Sequence, residues 1–319
     1  MRVDPETRLV NETLINGLIS GDDGLRKQAQ EGVNDWLRLR MREDGFARRI
    51  LPPIPVTPAD LDRQVNSAKP VIIKDMEPNS AGAYSVPFGT TPLDKDIAGP
   101  RYRVMFDRIL SRRYKSDVND LLTYDMDIRQ ILNDLLLKDI MAEEDRKFML
   151  TADMILGAVN TVNPKLESCQ YITVGPMDRK SLSHARKGMS STNRHLNASI
   201  GLINNITIWD VVALGRDEIG GDLAEELLIN GFAERQMLGL KWAITIKTDL
   251  VKDDELYMFA EPKFTGDFFV LDDCTISTKR EDYFIEFFAY ECIGATIQNI
   301  AAVSKVSFTG SMVNWRTGT

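Results

Sequence analysis

Few side chains in this sequence are spaced for chemistry, and each candidate has a plainer reading. The two histidines, His184 and His195, restrict acid/base work near neutral pH. Ser183 and His184 are adjacent, a spacing that does not place a base on a nucleophile, and no Gly-x-Ser-x-Gly elbow occurs. Between Gly215 and Gly221, where a phosphate loop would need a closing Gly-Lys-Ser/Thr, the chain carries acids and no lysine. The acid pairs Glu225-Glu226 and Asp253-Asp254 read as solvated helix ends or turns rather than as a glycosidase pair. Cys169, Cys274 and Cys292 are far apart and form no CxxC, so they read as small core residues rather than as zinc ligands or disulfide partners. We expect no catalytic residues, no metal and no cofactor.

The elements that would carry a site tell more. The 319 residues allow about two domains, and 43% hydrophobic with 27% charged residues is the profile of a folded chain. A net charge of -8 argues against a dedicated nucleic-acid reader. Among the longest uncharged stretches, His195 to Trp209 is 15 residues and contains three asparagines, too short and too polar to span a bilayer. The opening MRVDPETRLV has no basic segment followed by an apolar run, so a chain made and kept inside the cell, away from membranes, is expected.

Residues 4–45 carry one-sided apolar stripes, first Val10, Leu14 and Leu18, then Leu25, Ala29, Val33, Trp36, Leu37 and Met41. Two helices are expected, packing on their own chain or on a neighbour with Trp36 as a contact. PPIPVTP at 52–58 forbids helix and predicts an extended strap. Val71-Ile72-Ile73 and Tyr102–Phe106 read as the two strands of a long finger, separated by residues rich in Gly and Pro. Isolated two-stranded hairpins are marginal in water, so the finger needs another surface. The run from Arg101 to Lys115 holds six basic side chains and one acid.

Asp127 to Gly157 has helical apolar spacing with no Gly or Pro inside it, predicting a spine helix that runs beneath more than one element. A short strand at Cys169–Val174 and a basic segment at 178–195 follow, then short helices at Thr207–Leu214 and Asp222–Ile229. Lys241–Lys247, Glu255–Ala260 and Phe268–Leu271 read as strands, and DYFIEFFAY at 282–290 and Lys305–Phe308 as closing strands. The layout is α+β, with two interleaved units.

This order of parts resembles the tailed-bacteriophage major capsid protein family, whose fold is shared with encapsulins and the floor of herpesvirus capsids. The local matches lie between Gly239 and Gly266, LKWAITIKTDLVKDDELYMFAEPKFTG, and from Phe284 to Phe308, FIEFFAYECIGATIQNIAAVSKVSF. The resemblance implies an amino-terminal arm over 1–58, an extended loop over 59–115, and a spine with the first part of a peninsular domain over 116–174. An axial domain over 175–271 and a peninsular return with tail over 272–319 complete it. It implies hexamers and pentamers of one protein in an icosahedral shell around double-stranded DNA, held weakly and without sequence preference. Implied partners are other copies of the chain, a portal protein, a separate scaffolding protein and a decoration protein, in a virion capsid assembled in the host cytoplasm. The residues assigned to subunit contacts are Trp36, Val71, Ile72, Lys74, Arg101, Arg103, Arg112, Arg113, Arg186, Lys187, Glu225 and Glu226. An encapsulin-like compartment around cargo enzymes and an unrecognised soluble enzyme remain as alternatives.

Overall fold

The computed structural model describes residues 45–62, 69–75, 85–89, 91, 101–122, 128–162, 171–192, 195–213, 236–237, 239–281 and 283–309. The amino-terminal helices with Trp36, and the helix expected at Asp222–Ile229 with Glu225 and Glu226, lie outside them.

Two long strands dominate. β11 (Gly266–Glu281) and β12 (Phe284–Ile297) form an antiparallel hairpin, with β-bulges in β11 between Val270 and Thr275. β12 is built for this: its alternate residues Ile285, Phe287, Ala289, Glu291 and Ile293 all face inward, and aromatic and branched side chains favour a pleated surface. The proline strap supplies β1 (Pro53–Pro55), which pairs in parallel with β11. An edge is where prolines can sit in a sheet, because they have no ladder N–H to give. On the far side of β12, β4 (Asp107–Leu110) and β5 (Tyr114–Asp117) pair one after the other, completing a five-stranded sheet. The stretch assigned to the extended loop therefore ends inside this sheet, and the finger proper is β2 (Val71–Asp75) against β3 (Arg101–Met105).

A second, six-stranded sheet has the order β6, β13, β10, β7, β9, β8, formed by Tyr171–Val174, Val303–Phe308, Glu255–Phe259, Ile200–Asn204, Leu240–Thr245 and Gln236–Met237. β13 lies between β6 and β10, so the last described strand joins the six-stranded sheet rather than the five-stranded one. Its pairing is set by partners far away in sequence, which local pattern does not encode.

The spine helix runs from Ile128 to Val162, 35 residues and roughly 50 Å at 1.5 Å per residue. One hydrophobic core joins it to both sheets: Leu136, Ile140 and Phe148 pack with Ile285 and Phe287 of β12 and with Tyr257 and Phe259 of β10. The entry helix, Phe46–Ile50, is part of the same core, with Phe46 edge-on to Phe148 at 6.4 Å. A second core lies between the six-stranded sheet and the axial helix Arg179–Ser190, through Leu182, Ala185 and Met189. The sequence reading took this stretch only as a basic segment. Asp178 caps the helix, its carboxylate accepting from the Ser181 N–H at 2.6 Å, and the 182/185/189 spacing turns the basic side chains outward.

Candidate subunit-interface surfaces

The finger is anchored on its own subunit at its base, and its described residues 73–75, 85–89 and 91 are exposed. Val71 and Ile72, expected to face a neighbouring copy, are buried at 0% and 5% exposure in this chain. Ile72 packs with Val104, Phe106, Val56, Phe269 and Cys292, in a small core where the strap and β11 meet the finger. The apolar run that reads as an external contact thus seats the finger internally. Tyr102 adds a polar tie: its hydroxyl donates to Asp267 at 3.2 Å and accepts from the Gln298 amide at 2.5 Å, and Gln298 also donates to Asp267. Burial, and then the Asp267 charge, push the Tyr102 pKa up, so the phenol stays protonated.

The charged finger residues face solvent. Lys74 sits 5.6 Å above the Phe269 ring, and Arg101 donates to Asp75 across the β2–β3 pair at 2.8 Å. That ion pair is exposed on both sides, so its stabilisation is small. Arg103 and Arg112 are exposed. Arg113 lies 5.5 Å over the Phe288 ring and 3.9 Å from Glu286. Between β2 and β3, Phe88 is fully exposed and Val86 is 42% exposed.

The basic residues of the axial helix are also outward. Lys187 is exposed in the last turn. Arg186 lies against the tight turn at Gly239, whose φ of +72° suits glycine and where a Cβ would come within 3.0–3.3 Å of the guanidinium. The structure thus separates the predicted residues into a finger group, Lys74, Arg101 and Arg103, a group at the turn into β5, Arg112 and Arg113, and an axial pair, Arg186 and Lys187.

Two exposed apolar patches were not anticipated. Trp209 (64% exposed) and Ile246 (81%) follow β7 and β9, which run in parallel, so both lie at one end of the axial sheet. Tyr283 (74%) and Phe284 sit at the tip of the long hairpin, where Lys115 lies 4.5 Å over the Phe284 ring. A groove of about 610 Å³ runs between the β4–β5 turn, the spine and the segment after β9, lined by Arg108, Arg112, Arg146, Lys147, Lys247 and Asp139 among others.

Beneath these surfaces lies a buried charge cluster that the sequence reading missed. Arg48 of the entry helix donates from Nε to Glu144 of the spine at 2.8 Å, and from its terminal nitrogens to Asp273 at the β11 bulge and Glu291 of β12, each at 3.1 Å. Burial alone would lower the Arg48 pKa, but Glu144, Glu291 and Asp273 outweigh it and the guanidinium stays charged. Beside it, Lys247 donates to Asp145 at 2.5 Å, and Asp145 accepts the Ala47 N–H at 3.0 Å. The signal was present in the sequence. Glu144 interrupts the apolar i, i+4 row Leu136, Ile140, Phe148, Ala152, and Glu291 interrupts the alternating row Ile285, Phe287, Ala289, Ile293.

No protein-family model and no curated protein sequence matches the chain. Solved structures do match in shape. The capsid of the cyanophage P-SCSP1u aligns with a TM-score of 0.54 at 13% identity, over 78% of this chain and 86% of that one. The capsid of an empty GTA particle gives 0.53 at 13% identity, over 82% and 89%. A virus-like particle from Pyrococcus furiosus gives 0.50 at 13% identity, over 87% and 98%. The chain has the fold of these capsid proteins.

Proposed function

We propose that this chain is the major capsid protein of a tailed bacteriophage, building an icosahedral shell of hexamers and pentamers around double-stranded DNA. The observation that carries this reading is the shared fold across more than three quarters of the chain, together with a finger that projects exposed apolar residues. It is a structural role that asks for no catalytic residue, and we assign none. Self-association would use the outward charges of the finger and axial helix to set register, and Phe88, Tyr283 and Trp209 to supply apolar area. A portal, a separate scaffolding protein and a decoration protein would be its partners in a virion capsid assembled in the host cytoplasm. The acidic balance suits a wall that must hold packaged DNA without gripping it.

The likeness to the Pyrococcus furiosus virus-like particle, which reaches 98% of that chain, favours a second reading as a closed protein compartment with other cargo. Negative-stain microscopy of purified particles, with nucleic-acid content measured on the same sample, separates the two. Shells isolated from producing cells with nuclease-protected double-stranded DNA support the phage reading. Shells that contain only protein support the compartment.

A further inference from the structure

The charges of the buried cluster do not balance. One guanidinium, Arg48, faces three carboxylates, those of Glu144, Asp273 and Glu291. Glu291 has no exposed surface, and its Oε1 has no hydrogen-bond partner. An ionised oxygen buried without a donor is among the costliest groups a fold can hold, whereas the protonated carboxyl is neutral and needs far less.

We infer that Glu144 and Glu291 share one proton in the folded subunit, and that this proton makes the Arg48 cluster a pH-sensitive clamp joining the entry helix, the spine and the long hairpin. With the proton, Arg48 neutralises the remaining carboxylate while partly exposed Asp273 leans towards solvent. Without it, two buried carboxylates repel each other across one cation, and the three elements are driven apart.

Among the described residues, no cation other than Arg48 makes an ion pair with Glu144 or Glu291. The spine adds Asp145, already matched by Lys247. β11 adds the Cys274 thiol, whose pKa burial and then Glu291 push up, so it stays neutral. Next to Glu291, Cys292 is likewise raised by burial, with Asp272 adding and Arg108 of β4 opposing. On the other side Arg48 rests on the Phe268 ring, 5.9 Å from its centroid. Burial pushes Glu144 up to about 7 against the pull of Arg48, and pushes Glu291 well above the usual glutamate value, with Glu144 adding to it.

The sign follows from these directions. A carboxyl whose folded pKa is raised contributes stability that is complete below its unfolded value of 4.5 and is lost as pH rises through the folded value, about 7 for Glu144. Urea unfolding of the full chain across this range is the test. The wild-type folding constant is expected to fall with rising pH, by up to about tenfold per pH unit for one proton. Glu291→Gln, permanently neutral and nearly isosteric, is expected to flatten that dependence, whereas parallel wild-type and variant profiles would overturn the inference. Should Glu291→Gln not fold, the wild-type infrared spectrum at about pH 6, where exposed carboxyls are ionised, decides. A retained protonated-carboxyl band is expected there, and its absence would overturn the clamp.

Discussion

Arg48 is the side chain on which the most distant parts of the sequence converge, bonding residues 96, 225 and 243 positions away. Its removal leaves buried carboxylates with no cation, which is costlier than never having had the pair. Arg48→Ala is expected to destabilise the subunit by about 3 to 5 kcal/mol in chemical unfolding. A loss below about 0.5 kcal/mol, typical of a surface change, would show that the cluster holds nothing together. Phe148 makes the complementary apolar case. It lies 6.4 Å from the Phe46 ring and 5.5 Å from the Phe259 ring, joining the entry helix and the six-stranded sheet through one ring, and Phe148→Ala is expected to cost about 3 to 5 kcal/mol. Reading along the sequence, Glu144 and Glu291 could be seen as acids set in apolar rows. That they meet could not, because the i, i+4 and i, i+2 rows say which face a residue takes and nothing about what faces it.

At the scale of elements, the finger divides into a seated base and a free end, and the two halves should respond differently to mutation. Ile72→Ala removes apolar volume from a buried site and is expected to cost the isolated subunit about 2 to 5 kcal/mol. Phe88→Ser removes only exposed apolar surface, so subunit unfolding should stay within about 0.5 kcal/mol of wild type while shell yield drops. Unchanged yield would remove the finger end from the assembly surface. Elements with a strong period were legible before folding: the spine, both finger strands, β9 and β10 appear where spacing puts them. The axial helix was not, because Gly188 and three serines dilute its pattern, although Asp178 and the 182/185/189 row were there to be read. The polyproline strap was legible as extended chain, but its parallel pairing to β11 was not, since nothing local names a partner that far along the chain.

Among the described residues the two larger sheets are held about the spine helix by a core they share, beside a second core under the helix Arg179–Ser190 and a small one at the finger base. β13 pairs between β6 and β10 in the six-stranded sheet and brings Val303 to the core that holds Phe46 and Ile50 of the entry helix, so the first and last described segments both join that core. In the proposed shell, a subunit tied in this way would carry load through the spine and offer its finger, hairpin tip and the Trp209 end of the six-stranded sheet to neighbours. The direct test is the mass and shape of the purified 36.0 kDa protein by light scattering and electron microscopy under assembly conditions. Closed particles of uniform size built from many copies are predicted. A monodisperse monomer under every condition, with scaffolding partner supplied or withheld, would contradict the shell.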